Sequence, residues 1–120
     1  MSEQVHINVS LSIHEGQLSE FQSIAREMVE ATKKEPGTLR YEWYLSNDGK
    51  SCQLIETYAD SDALLAHFDG SAVKEGVPKM LKTAEVNGFE VYGDPGVKAS
   101  EILSDFGAEI FLYWHGLRRQ

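Results

Sequence analysis

The sequence predicts an α+β fold with the element order β-α-β-β-α-β, followed by one further helix and strand. Three observations predict it: a strictly alternating N-terminal segment, a central hairpin around Asp48-Gly49, and apolar residues at helical spacing on both sides of that hairpin. A chain of 120 residues has the length of one domain. We therefore interpret residues 1–120 as a single domain, with a core at about 5–92 and an extension at 95–116.

The first strand and helix are marked by two different periods. The apolar members of the alternating segment are Val5, Ile7, Val9, Leu11 and Ile13, and the polar members are His6, Asn8, Ser10 and Ser12. A period of two gives the strand one apolar and one polar face. The next apolar stripe, at helical spacing, is Leu18, Phe21, Ala25, Met28, Val29 and Thr32. Lys33 and Lys34 suit the end of this helix, and Pro36-Gly37 stops it.

The hairpin is predicted to turn at Asp48-Gly49 through a two-residue type I′ loop. In that register Asn47 faces Lys50, and the facing pairs are Leu45 with Cys52, Trp43 with Leu54, Tyr41 with Glu56 and Leu39 with Tyr58. These eight residues share one face of the sheet. The opposite face carries Arg40, Glu42, Tyr44, Gln53, Ile55 and Thr57. A shift by one residue would exchange the two faces.

The later elements follow from caps, breakers and further stripes. Asp60 or Ser61 is predicted to cap a helix through Leu64, Leu65 and Phe68. Asp69-Gly70-Ser71 interrupts that helix. A second helical stripe follows, with a kink or restart at Pro78: Val73, Val77, Met80, Leu81 and Ala84. A strand is predicted at 88–92, and Asp94-Pro95-Gly96 forms a turn after it. The chain then continues with a short helix that ends at Gly107 and a strand from Glu109 to His115.

The first six elements correspond to a ferredoxin-like arrangement, an antiparallel sheet with helices on one face. The other face carries groups such as Tyr44 and Ile55, so we expect a second subunit to cover it and the protein to be a homodimer. The final strand lies beyond the compact unit. It is placed to reach that partner and protect a sheet edge.

Composition excludes several classes of function. A net charge of −8 argues against nucleic acid as a partner. No segment approaches the ~20 apolar residues of a membrane span, and the N-terminus lacks a signal-like apolar run. We therefore expect a cytoplasmic location and no membrane partner. Cys52 is the single cysteine, which excludes an internal disulfide and a thiolate-rich metal site. No histidine pair has metal-ligand spacing, so no metal is expected.

Four segments resemble the antibiotic biosynthesis monooxygenase family: Glu35-Pro36-Gly37, Leu39-Arg40-Tyr41, Glu56-Thr57-Tyr58 and the helix with Ala63, Ala66 and His67. The resemblance covers roughly residues 5–92. It implies a dimeric α/β barrel with a cleft between the sheet and the helices of each monomer. Some members carry an exchanged C-terminal strand, which the tail fits. Members include cofactor-independent oxygenases of aromatic polyketides and quinols, haem-degrading enzymes, isomerase-like enzymes and proteins without an assigned activity.

The resemblance implies a cofactor-independent monooxygenase acting on a small aromatic, polyketide or quinol-like substrate. Such an enzyme binds an electron-rich molecule, removes a proton from it and excludes water. Haem-degrading members place an asparagine on the cleft side of the first strand. Here Asn8 is off the cleft-facing alternation and Val9 stands there instead, so we expect no haem and no other cofactor.

His67 is the candidate catalytic residue. It borders the buried stripe of its helix, between Leu64 and Phe68. Its ordinary pKa of about 6.5 suits proton abstraction at neutral pH. The alternative is a packed histidine bonded to a backbone carbonyl. The candidate substrate-binding residues are Tyr41, Trp43, Glu56, Tyr58 and Phe68.

Glu56 is the one carboxylate on an otherwise apolar face, where it needs a partner or has a raised pKa. It is either a polar anchor in the pocket or a structural carboxylate held by a hydroxyl or a backbone amide. Tyr41, opposite it in the register, is the expected hydrogen-bond donor. The rings can stack on a planar substrate or serve as plain core. Two other functions stay open for the whole chain: a non-catalytic dimeric ligand-binding or accessory protein, and an isomerase or stress-protective enzyme acting on a reactive carbonyl compound.

Overall fold

The computed structural model, which describes residues 3–119, confirms the predicted order of elements. The strands are β1 (Val5–Ile13), β2 (Thr38–Leu45), β3 (Ser51–Tyr58), β4 (Ala84–Tyr92) and β5 (Glu109–Phe111). The helices are α1 (Leu18–Thr32), α2 (Ser61–Phe68), α3 (Val77–Met80) and α4 (Val97–Asp105). The interruption predicted at Asp69-Gly70-Ser71 is confirmed, because α2 ends at Phe68 and a turn follows. Beyond it a π-helical turn, Ala72–Gly76, leads directly into α3, which begins one residue before Pro78.

The sheet has the order β2-β3-β1-β4-β5, with β1 at its centre and antiparallel to both of its neighbours. The apolar face of β1 is buried, and residues of α1 such as Phe21 and Met28 belong to the same core. This α+β, ferredoxin-like arrangement is the predicted one. In residues 3–119, no helix has the length and apolar character needed to cross a bilayer.

The predicted hairpin register is confirmed at three of its four pairs: Leu45 with Cys52, Trp43 with Leu54 and Tyr41 with Glu56. The predicted turn type is wrong. The amide of Gly49 donates to the carbonyl of Ser46 at 3.0 Å, and the amide of Ser46 donates to the carbonyl of Ser51 at 2.9 Å. Gly49 has a φ of +69°, whereas no described non-glycine residue has a positive φ, as a type I′ turn would require at Asp48. The longer loop joins the same strand positions, so the register survives.

The prediction that Leu39 lies opposite Tyr58 is wrong. Thr38 lies opposite Tyr58 and Arg40 lies opposite Thr57, so Leu39 is the extra residue of a bulge. Its side chain is 54% exposed. The start of β2 is also held by a contact outside the hairpin register, because the carbonyl of Gly37 accepts a 2.9 Å hydrogen bond from the amide of Ala59. This contact and the register set by the turn differ by one residue, and the bulge in β2, an edge strand, accommodates that extra residue.

The last strand is shorter than predicted and ends at Phe111 instead of His115. β5 pairs in parallel with β4, and its final pair is Phe111 with Tyr92, the last residue of β4. Residues beyond Phe111 therefore have no β4 residue left to pair with. In this chain β5 covers the edge of β4, while the apolar side chains that follow β5 are exposed: Leu112, Tyr113, Trp114 and Leu117.

The loop between α1 and β2 packs closely against α2. A Cβ atom at Gly37 would lie 2.5 Å from the Cβ of Ala63, so only glycine allows this approach. On the far side of the same contact, a Cβ atom at Gly70 would lie 2.7 Å from Oε2 of Glu35. Ala63 is one helical turn before His67. The contact therefore sets the position of Glu35 relative to His67.

We predict that Gly37→Ala lowers the free energy of unfolding by about 1–3 kcal/mol, because the added methyl group overpacks the contact with Ala63. Urea unfolding at neutral pH measures the change. Gly116→Ala is the matched control, since a Cβ atom there meets only the Tyr113 hydroxyl at an ordinary 3.7 Å. Equal stabilities of the two variants would contradict the role given to Gly37.

Candidate active site

A cavity of about 370 Å³ lies between the sheet and the helices, within the size range of small-molecule sites. Most of its wall is aliphatic or aromatic. The second apolar stripe of the sequence forms one side of this wall, through Val73, Val77, Met80 and Leu81. The side chains of that stripe thus face the cavity as well as the core. The ionisable members of the wall are Tyr41, Glu56, His67 and Asp105.

The structure places five of the six predicted site residues on this cavity: Tyr41, Trp43, Glu56, His67 and Phe68. Tyr58 is fully buried and lies behind the wall, where its hydroxyl donates a hydrogen bond to Oε1 of Glu56. Tyr58 therefore supports Glu56 and does not contact the space available to a ligand. Val9 of β1 also lines the cavity, whereas Asn8 lies on the other face of the sheet.

His67 is 3% exposed and is held by a side chain, not by the backbone carbonyl of the alternative interpretation. Its Nδ1 lies 2.7 Å from Oε1 of Glu35. A carboxylate oxygen accepts, so Nδ1 is the donor in this contact, and whenever the ring is neutral Nε2 keeps its lone pair. Nε2 lies 3.9 Å from Oε1 of Glu56, which is beyond hydrogen-bonding distance. One ring nitrogen is therefore engaged and the other is free.

Glu35 is the site residue that the sequence-based prediction missed. It lies in the loop after α1, where its carboxylate also accepts a 3.1 Å hydrogen bond from the hydroxyl of Thr38. Strand alternation and helical spacing predict which residues share a face, and neither applies to a loop. The available signal was its place directly before Pro36-Gly37, in a segment that resembles the family.

Glu56 is 6% exposed, and its burial raises the pKa of its carboxyl group. A positive charge on His67, present when its ring is protonated, and the hydrogen bond from Tyr58 act in the opposite direction, while the nearby carboxylate of Glu35 raises the pKa further. The prediction that Tyr41 donates the hydrogen bond to Glu56 is wrong. Although Tyr41 lies opposite Glu56 in the register, the hydrogen bond comes from Tyr58, two residues along the same strand and therefore on the same face.

Aromatic rings surround the imidazole. The centroid of His67 lies 5.3 Å from that of Tyr41 and 5.2 Å from that of Tyr58. Burial, followed by the charge of Glu56, raises the pKa of both tyrosines well above the ordinary value, so their hydroxyl groups stay protonated. The Trp43 ring meets Tyr41 edge to face at 5.8 Å, and its buried Nε1 has no hydrogen-bond partner within residues 3–119. These contacts fix the plane of the imidazole.

Several solved structures share this fold. MupZ from Pseudomonas fluorescens is similar over 98% of this chain and 96% of its own, with a TM-score of 0.86 and 22% identity. SnoaB, a cofactor-independent oxygenase from Streptomyces nogalater, is similar over 80% of this chain and 97% of its own, with a TM-score of 0.68 and 15% identity. Rv0793 from Mycobacterium tuberculosis is similar over 79% of this chain and 98% of its own, with a TM-score of 0.69 and 20% identity. At these identities the likeness shows the fold.

Sequence comparison identifies the family. None of the curated protein sequences is significantly similar to this chain. The sequence profile described as antibiotic biosynthesis monooxygenase matches residues 4–79, which is more than half of the chain and includes the residues that form the Glu35–His67 contact. The protein belongs to the antibiotic biosynthesis monooxygenase family.

Proposed function

We propose that this protein is a cofactor-independent monooxygenase that oxidises a small aromatic, polyketide or quinol-like substrate. The observation that carries the proposal is the arrangement of His67. Its Nδ1 is engaged by Glu35, its Nε2 has no hydrogen-bond partner among the described residues, and the residue lines an apolar cavity of about 370 Å³. A base oriented by a carboxylate in this way is suited to take a proton from a bound substrate.

The chemistry needs no external reductant. His67 removes a proton from a hydroxyl or an activated CH2 group, and the resulting anion passes one electron to O2. The two radicals combine to form a C–O bond and a peroxide. For an activated CH2 group, loss of the remaining C–H proton and cleavage of the O–O bond give a carbonyl and water. The overall change, CH2 + O2 to C=O + H2O, is balanced, with all electrons supplied by the substrate.

The cavity wall supports this role. Apolar side chains exclude water from the anion and the peroxide. Tyr41, Trp43 and Phe68 offer aromatic faces and edges for a planar substrate. SnoaB, which has this fold, is a cofactor-independent oxygenase. A non-catalytic ligand-binding protein, our alternative, would fit a collapsed cleft or a histidine with both nitrogens satisfied, and neither is observed here.

We predict that the purified protein consumes oxygen with members of a panel of anthrones and quinols, without any added cofactor. His67→Ala is expected to lower kcat/KM by about 10²–10⁴-fold, the usual contribution of a general base. Glu35→Gln is expected to lower it less, because the base remains but loses the carboxylate that orients it. An oxygen electrode gives the rates, and the exposed His115→Ala is the matched control. Equal rates for the His67 and His115 variants would remove His67 from the mechanism.

We also propose that the protein is a homodimer whose interface includes the outer face of the sheet. Tyr44 and Tyr92 are large exposed side chains on that face, and Trp114 beyond β5 is 90% exposed. So many exposed rings on a small chain are typical of an interaction surface. Light scattering at micromolar concentration is expected to give twice the 13.4 kDa of one chain. A mass of one chain would contradict the proposal.

A further inference from the structure

We propose that this site also catalyses a reaction that needs no oxygen: the reversible enolisation of uncharged aryl ketones, with His67 as the base and Glu56 as the acid. The proposal rests on the proposed function only in sharing its base, His67. It adds a second catalytic residue and defines the charge of the compounds that the site accepts.

The geometry brings a base and an acid to one cavity wall. Nε2 of His67 and Oε1 of Glu56 are 3.9 Å apart, too far to bond to each other directly. A carbonyl group and its neighbouring α-carbon can contact both residues at once. Because Tyr58 donates its hydrogen to Oε1 of Glu56, Oε2 is the oxygen that carries the proton when this carboxyl group is neutral.

The burial of Glu56 shifts its carboxyl group toward the neutral, proton-donating form. That burial is the largest influence on its pKa, which is raised although a charge on His67 and the hydrogen bond from Tyr58 lower it; the second carboxylate, Glu35, adds to the rise. No lysine or arginine is among the described residues that line the cavity. A carboxyl group kept neutral by an apolar site can donate a hydrogen bond to a substrate oxygen.

The proposed step is balanced in protons and electrons. The α-C–H bond breaks and its proton moves to Nε2 of His67, while the O–H bond of Glu56 breaks and its proton moves to the carbonyl oxygen. The product is an enol, and no group is oxidised or reduced. Reversal returns both protons. In D2O, exchange at Nε2 before reversal places deuterium on the α-carbon.

The cavity also sets the class of ketone. Its volume of about 370 Å³ is more than twice that of the roughly 150 Å³ cavity that accepts one benzene ring. Two fused rings therefore fit. A ligand carboxylate would enter an apolar space near Glu35, Glu56 and Asp105, where the wall formed by residues 3–119 offers no lysine or arginine, which is unfavourable. Uncharged ketones are therefore expected to react and their anionic analogues to be rejected.

The test is α-hydrogen exchange of 1-tetralone in D2O under argon, followed by proton NMR. Wild-type protein is expected to accelerate exchange over buffer, and His67→Ala and Glu56→Gln are each expected to lower the enzymatic rate by about 10²-fold or more. A tetralone carboxylate is expected to exchange at least about tenfold more slowly than the uncharged ketone, because the wall offers it no cation. The matched control is Glu101→Gln, an exposed glutamate of α4, which should keep the wild-type rate.

Exchange no faster than in buffer, or equal exchange in wild type and His67→Ala, would overturn the proposal. Exchange that needs His67 but not Glu56 would overturn the assignment of the acid. If Glu56→Gln does not fold by circular dichroism, Glu56→Asp replaces it. That variant keeps the carboxyl group but withdraws it by one methylene, so a loss of at least about tenfold is expected and an unchanged rate contradicts the proposal.

The outcomes separate this proposal from the monooxygenase. Oxygen uptake without anaerobic exchange would contradict the proposed enolisation and support the monooxygenase. Anaerobic exchange without oxygen uptake with any quinol or anthrone would contradict the monooxygenase and support the enolisation.

Discussion

The hydrogen bond between Glu35 and Nδ1 of His67 is the interaction on which the rest of the site depends. It joins the loop after α1 to α2, two segments 32 positions apart in the sequence. The close approach of Gly37 to Ala63 makes the bond possible, since a larger residue in the loop would move Glu35 away from the helix. A hydrogen bond to a charged group stabilises a protein by about 1.5–3 kcal/mol. Here it also decides which nitrogen of the imidazole is free to act.

The two layers of the fold supply different parts of the chemistry. The sheet supplies Glu56 and its donor Tyr58, which lie two residues apart on β3 and share a face. The helical layer supplies His67 from α2 and, through the π-helical turn and α3, much of the apolar wall. π-Helical turns are frequent at functional sites. Burying a carboxyl group beside an imidazole costs stability, which the surrounding aromatic core must offset.

Much of this site can be predicted from the sequence, because its residues lie on strands with alternating apolar residues and on a helix with apolar residues at helical spacing. Alternation along β2 and β3 predicts that Tyr41, Trp43 and Glu56 share the inner face, and helical spacing places His67 beside that core. The same rules fail where the chain leaves regular structure. They do not predict Glu35 in its loop or the bulge at Leu39. Nor do they decide between Tyr41 and Tyr58 as the donor to Glu56, because both tyrosines share its face of the sheet. The length of β5 depends on where β4 ends, which is a property of the assembled sheet.

The position of the hydrogen on the His67 ring is the property that shows whether Glu35 orients this base. Nitrogen-15 NMR of the histidine side chains distinguishes a ring nitrogen that carries hydrogen from one that does not, with His67→Ala assigning the signals. At a pH where the ring is neutral, we expect Nδ1 of His67 to carry the hydrogen and Nε2 to carry none. A His67 ring with its hydrogen on Nε2 would contradict it, because Glu35 would then not orient the base and no lone pair would face the cavity.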